Sequence, residues 1–299
     1  MTVILDGGLA TELEARGHDL SDRLWSARLL LTDPDAIEDV HLAYFRAGAQ
    51  VATTASYQAT VPGFVAAGLD ESAARDAIRR SVALARSARE RYAAERGTDP
   101  ATLLIAGSVG PYGAMLADGS EYRGDYDPGD TALRDLHAPR MEALLEAGAD
   151  LLAMETVPTV REARVLVALL DELGATGWLS YQCRDGGHTA AGEPIAEVVA
   201  AAAASVGVIA VGVNCTAPRH VPALLAGAAS VAADLPRIAY PNAGDRWDAA
   251  TRAWVADDAD GRFDPLAVAS WAGGAADWVG GCCGTGPADI ERLTAALAA

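Results

Sequence analysis

Along its length this chain alternates eight times between short runs rich in β-branched residues and longer stretches of helical periodicity, and no other feature limits its fold as much. The strand candidates are 2–6, 50–56, 102–109, 150–155, 177–183, 207–213, 236–240 and 277–281. The helical patterns between them run roughly over 34–47, 71–95, 129–147, 159–173, 193–204, 219–232, 264–273 and 287–298. The first helix shows the local logic: Asp33 caps it, Pro34 suits a first turn whose N–H needs no partner, and Gly48 ends it. Ile37, Val40, Tyr44 and Ala47 recur at helical spacing as its buried stripe. In 71–95 that stripe is Ala74, Ile78, Val82, Ala85 and Tyr92. Arg75, Arg79, Arg80, Arg86, Arg89 and Arg91 ride the other face, which reads as solvated and balanced by nearby acids.

Strands separated by single helices must run parallel, because a crossover returns each strand to the same direction. The eight units in 299 residues, about 37 each, and the lack of any linker-like interruption favour an α/β fold of one (β/α)8 TIM barrel over 1–299 rather than a doubly wound open sheet. Links from helix to strand are mostly two or three residues, such as Gly148-Ala149, whereas those from strand to helix are often long: 7–33, 110–128, 184–192 and 241–263. Long loops in a compact fold are usually functional, and in a barrel the strand-to-helix loops surround the catalytic face. Chemistry is therefore expected just past each strand.

Composition narrows the chemistry. All 23 basic residues are arginine, so there is no lysine for a Schiff base or for a P-loop. A net charge of −18 excludes the basic footprint needed for nucleic acid or an anionic membrane surface. The start, Met1 to Gly8, lacks the pattern of a signal peptide. The apolar stretch Val198–Val213 is interrupted by Ser205 and Gly207 and is too short to span a bilayer. Four cysteines, two of them adjacent, make a poor disulfide framework, and the chain is expected to be cytoplasmic with reduced thiols.

Several chemically capable residues fall at the strand ends. The first strand ends in Asp6-Gly7-Gly8, the fourth runs into Glu155, the sixth ends at Asn214-Cys215, and the eighth runs into Cys282-Cys283. Strands six and eight share parity, so Cys215 can meet the vicinal pair where glycines let the last strand dissolve into a loop. Three sulfurs at a barrel mouth suit Zn2+ with one position left open, although buried cysteines also serve as small hydrophobes. Cys183, at the end of strand five, reads as a core thiol or one behind the site. Asp6 and Glu155 need a partner or a ligand there. With backbone N–H groups of Gly7 and Gly8 they describe a pocket for a zwitterionic amino acid. The histidines, His18, His41, His137, His188 and His220, show no ligand spacing and read as structural or solvated.

These residues sit in stretches that resemble the homocysteine S-methyltransferases, zinc-dependent barrels. The matching stretches are Asp6–Leu13, Leu24–Leu30, Thr53–Gln58, Gly107–Gly113, Ala117–Tyr126, Glu155–Pro158, Gly212–Cys215, Tyr240–Gly244 and Gly281–Thr285. The resemblance implies that Cys215, Cys282 and Cys283 bind zinc and that Asp6 and Glu155, with Gly7 and Gly8, contact homocysteine. Leu24–Leu30 and Ala117–Tyr126 look most like the branch using S-methylmethionine or S-adenosylmethionine. Trp25 and Tyr57 are expected to flank such a sulfonium donor through cation–π contact, and Asn214 to join the substrate-binding set. The sequence departs from the family at Ala243, often serine, and at Leu9-Ala10, often Met-Gly. Because the chain ends with its eighth helix, no folate or cobalamin module is expected. The implied activity is methyl transfer to homocysteine, forming methionine. Alternatives are a selenocysteine or other thiol or selenol acceptor, a non-catalytic zinc- or amino-acid-binding barrel, and a lyase or hydrolase using Asp6 and Glu155 as acid and base.

Overall fold

A computed structural model describes residues 2–21, 24–248, 253–255 and 262–299. Its eight parallel strands are β1 (Val3–Ile4), β2 (Val51–Thr53), β3 (Leu104–Val109), β4 (Leu151–Val157), β5 (Gly177–Tyr181), β6 (Val208–Asn214), β7 (Arg237–Tyr240) and β8 (Trp278–Val279). They pair in the order β1-β8-β7-β6-β5-β4-β3-β2. The ring closes between β1 and β2: Leu5 bridges Val51, Gln50 N–H donates to the Ile4 carbonyl at 2.7 Å, and Asp6 N–H donates to that of Val51 at 3.2 Å. Closure excludes the open doubly wound sheet, which would leave two unpaired edges.

The barrel helices are α1 (Pro34–Arg46), α2 (Glu71–Arg96), α3 (Asp130–Glu146), α4 (Val160–Glu172), α5 (Ile195–Ala202), α6 (Val221–Ala229), α7 (Pro265–Trp271) and α8 (Pro287–Ala298). Each overlies one of the expected periodic stretches. Asp33 caps α1 by accepting from Ala36 N–H, and Asp70 caps α2 by accepting from Ala73 N–H at 2.8 Å. The arginine face of α2 is tied to its neighbours: Arg79 to Glu146 at 2.6 Å, Arg89 to Asp150 at 3.0 Å, and Arg91 to Glu38 at 2.7 Å. Arg80 reaches the Leu30 carbonyl at 2.8 Å, so this face binds protein rather than a free anion.

The long strand-to-helix loops hold short structure of their own. Helices Leu9–Ala15, Leu29–Thr32, Val61–Ala66 and Tyr112–Leu116 lie within them, with 3-10 turns at Trp25–Arg28 and Ser120–Tyr122. The antiparallel pair Arg246–Asp248 and Ala253–Val255 occupies the loop after β7. Such segments are too short to show a period in sequence. Positions 22–23, 249–252 and 256–261 of the expected loops 7–33 and 241–263 lie outside the described residues.

Two layers of core support the mouth. The larger lies between sheet and helices. The smaller fills the barrel with Leu5, Val51, Ala106, Ala153, Trp178, Ala210, Ile238 and Tyr240, a packed plug that ends directly below the catalytic face. Among the described residues no helix is long and apolar enough to cross a membrane.

Candidate active site at the barrel mouth

The three expected cysteines converge. The sulfurs of Cys215, Cys282 and Cys283 all lie within 4.8 Å of one another. The strand between β6 and β8 explains how residues so far apart in sequence meet. Cys215 N–H donates to the Tyr240 carbonyl at 3.1 Å, and Cys282 N–H donates to that of Pro241 at 2.8 Å. Both thus hang from the end of β7, one on each side. Cys215 also takes a left-handed backbone, φ 46°, which turns its side chain back toward the pair. A non-glycine residue in that region is held there by its surroundings. Hydrogen bonds from Cys215 and Cys283 hold the Cys282 thiol well below its ordinary range, and donating to Cys282 pushes Cys215 up. Within the cluster, negative charge is thus favoured at Cys282 over its two neighbours. Three soft sulfurs with no competing imidazole fit zinc by donor chemistry and spacing.

Cys183 is not part of this group. It is buried, its N–H donates to Thr216 Oγ1 at 2.9 Å, and burial pushes its thiol up.

Asp6 and Glu155 enter the same cavity, about 670 Å3 counted out to its open mouth. Asp6 accepts from Thr53 N–H at 2.7 Å and from Thr53 Oγ1 at 2.9 Å. Glu155 accepts from the Ser108 hydroxyl and, at 3.1 Å, from that of Tyr240. Neither has a cationic partner among the described residues. Burial raises Asp6 to about 7 and Glu155 to about 8, and the negative charge of Cys282 pushes each further in the same direction.

Glycine is required beside Asp6 for close approach. A Cβ at Gly7 would lie 2.9 Å from the Tyr44 ring, and one at Gly8 would lie 2.7 Å from the Cys282 carbonyl. The expectation that both N–H groups face the substrate needs correction, because Gly8 N–H donates to the Thr285 carbonyl at 3.0 Å. Gly7 N–H has no protein partner among the described residues.

Asn214 sits under the cavity, fully buried, and does not line it. Its Oδ1 accepts from Thr156 N–H at 2.7 Å and Ser180 Oγ at 2.9 Å, while Nδ2 donates to Thr156 Oγ1 at 2.8 Å and approaches Cys282 Sγ at 3.9 Å. It pins a left-handed Thr156, φ 61°, at an irregularity in β4 just after Glu155.

Trp25 and Tyr57 both line the cavity, edge to face with centroids 6.2 Å apart. Tyr122 lines it from the 110–126 loop. Beside it Glu121 is buried, and burial raises it to about 7. Thr53, Ser108, Tyr122 and Tyr240 were not singled out by sequence reasoning. Ser108 and Tyr240 are ordinary strand residues in sequence, and beyond their place in the family-like stretches only their inward parity at the strand ends could have flagged them. Ala243 does not line the cavity; its N–H holds the Cys283 carbonyl at 2.8 Å, so loss of a serine hydroxyl there leaves the lining unchanged.

The homocysteine S-methyltransferase family profile matches residues 3–297. The chain belongs to the homocysteine S-methyltransferase family. Among relatives, a homocysteine S-methyltransferase of Escherichia coli K12 is 49% identical over 98% of this chain and 94% of its own length. A selenocysteine Se-methyltransferase of Brassica oleracea var. italica is 43% identical over 97% of this chain and 87% of its own. The crystal structure of the metallated form of the homocysteine methyltransferase MmuM from E. coli superimposes with a TM-score of 0.86 at 48% identity, covering 98% of this chain and 96% of that one. In this family member the three sulfurs, two unpaired carboxylates and aromatic pair share one cavity.

Proposed function

We propose that this chain transfers a methyl group from a sulfonium donor, S-methylmethionine or S-adenosylmethionine, to the sulfur of homocysteine, forming methionine, with zinc held by Cys215, Cys282 and Cys283. The observation that carries this reading is the placement of a three-sulfur cluster beside two buried carboxylates that lack a cationic partner among the described residues. The family membership and the names of the relatives support it.

When bound, zinc would favour the deprotonated form of an incoming thiol, which alone, near pKa ~8.5, is mostly protonated at neutral pH. The protein's own groups account for the remainder. Asp6 and Glu155 receive the ammonium group of the amino acid, which supplies the missing positive charge. Gly7 N–H offers a donor for its carboxylate. Asn214 and the strained Thr156 fix the direction of Glu155 and Cys282. Trp25 and Tyr57 present ring faces and edges to the donor cation and exclude water.

In the transfer itself the homocysteine sulfur forms a bond to the methyl carbon as the donor carbon–sulfur bond breaks. The electron pair of that bond stays on the donor sulfur, which leaves as a neutral thioether. No proton moves in this step, so no general base is required, and alignment of the two sulfurs with the methyl dominates the acceleration. Opposite charges cancel along the way, which a cavity of largely apolar surface favours over water.

Homocysteine is the acceptor favoured here, and the resemblance to a selenocysteine Se-methyltransferase supports a selenol as second acceptor. All four cysteines are free thiols, as suits the reducing cytoplasm where we place the protein. The test is methionine formation from homocysteine with S-methylmethionine, S-adenosylmethionine or betaine, with and without a zinc chelator. Methionine from a sulfonium donor, lost on chelation and restored by zinc, is expected. Binding of homocysteine without turnover on any donor, or turnover that ignores the chelator, would overturn the reading.

A further inference from the structure

A second buried polar group lies behind the aromatic side of the cavity, and the chemistry above does not use it. Arg140 and His137 on α3 and Glu162 on α4 are all fully buried. Glu162 Oε1 accepts from Tyr112 N–H at 2.6 Å and from His137 Nε2–H at 2.7 Å, while Oε2 accepts from the Tyr126 hydroxyl at 2.5 Å. Arg140 Nη2 donates to His137 Nδ1 at 2.5 Å, and the same guanidinium donates to the carbonyls of Gly110 and, at 3.4 Å, Tyr57. These partners assign the imidazole as neutral with its proton on Nε2.

The two ends of this chain of hydrogen bonds are informative. One end is the backbone of Tyr57, in the loop after β2. The other is the Gly110–Tyr126 segment after β3, which carries Tyr122. The loops also touch directly, since a Cβ at Gly110 would lie 2.5 Å from the Tyr57 carbonyl and 2.8 Å from its ring. Tyr57 and Tyr122 both line the cavity. Asp6, Glu155 and the three cysteines come from β1, β4, β6 and β8 and share none of these hydrogen bonds. Burying an ionic chain costs desolvation that apolar packing would avoid, so its use here is geometric definition.

We propose that Glu162, His137 and Arg140 are positioning residues that lock Tyr57 and the 110–126 segment into one wall on the methyl-donor side. Donor affinity and alignment then depend on them, while homocysteine and metal binding do not. This rests on the proposed function in placing the donor against Tyr57.

The test uses two near-isosteric variants of the full chain, Glu162→Gln and Tyr126→Phe. With S-methylmethionine and homocysteine as substrates, donor kcat/KM should fall ~10-fold or more in Glu162→Gln and less in Tyr126→Phe, because misplacement of a reacting group is costly. The preference between S-methylmethionine and S-adenosylmethionine should shift, while homocysteine KM and zinc per chain stay within about twofold of wild type, as for groups outside that site. Equal changes in both KM values, or no change for the donor in a folded variant, would overturn the proposal. Hydrogen exchange supplies a readout independent of turnover. Faster exchange confined to 57–60 and 110–126 supports the wall even if the wild type makes no methionine, which would fault the proposed function instead. Unchanged exchange there would sink it. If Glu162→Gln does not fold, Tyr126→Phe, which removes one hydroxyl, decides.

Discussion

Two buried polar groups lie side by side at the same end of this barrel, and they differ in how their charge is met. Around Glu162 the protein supplies everything: a backbone N–H, a tyrosine hydroxyl and an imidazole surround the carboxylate, and Arg140 adds the positive charge. Around Asp6 and Glu155 only neutral donors, Thr53, Ser108 and Tyr240, are found among the described residues, and negative charge at Cys282 further disfavours ionisation of both acids. Both groups are buried, but only Asp6 and Glu155 border the open cavity. A buried charge that the fold compensates is scaffolding, whereas one that it leaves uncompensated calls for a ligand.

The contrast is sharpest at the sulfurs. Replacing Cys215 by Ser should drop bound zinc well below one per chain and abolish methionine formation, while Glu162→Gln keeps its metal. Metal analysis of the two purified variants separates them. Retention of full zinc and activity by Cys215→Ser would erase the distinction.

A smaller effect is expected at the carboxylates. Glu155→Gln removes an ionic contact to the substrate ammonium, and homocysteine KM should rise by ~10- to 100-fold, the equivalent of about 1.5–3 kcal/mol for a hydrogen bond to a charged group. The pH dependence carries the same signature. Asp6 and Glu155 stand at about 7 and about 8 in the free protein, so homocysteine binding should strengthen as pH rises through that range and both acids ionise. Stability of the metal-free protein should move oppositely. The folded state holds these protons to higher pH than the unfolded chain does, so stability is lost as pH rises from the ordinary carboxylate range through 8. Calorimetry and thermal melts across pH 5–9 check both signs, and Glu155→Gln should flatten each curve.

The smallest effect lies in the frame. Asp70→Ala removes the cap of α2, which takes part in neither polar group, and should lower stability by about 1 kcal/mol in urea denaturation with kcat/KM unchanged.

The frame was also the most legible part of the sequence. Long helices such as α2 carry enough turns for their buried stripe to stand out, and parallel strands follow from the alternation. Short helices in the loops, Tyr112–Leu116 among them, have no full period to read. In the site, Cys215, Cys282, Cys283, Asp6 and Glu155 were visible because unusual residues stood at strand ends. Asn214 was placed among substrate contacts, yet its amide is consumed by Thr156, Ser180 and Cys282, a role that depends on three separate strands. The group around Glu162 left no trace. His137 and Arg140, three apart on α3, look like any helix face until α4 and the 110–126 loop close over them.

X-ray absorption at the zinc edge, with and without homocysteine, tests the central claim most directly. Sulfur neighbours at ~2.3 Å, three from the protein with one more appearing when homocysteine is added, are the expected result. A first shell of nitrogen and oxygen, or one that does not change with homocysteine, would contradict it.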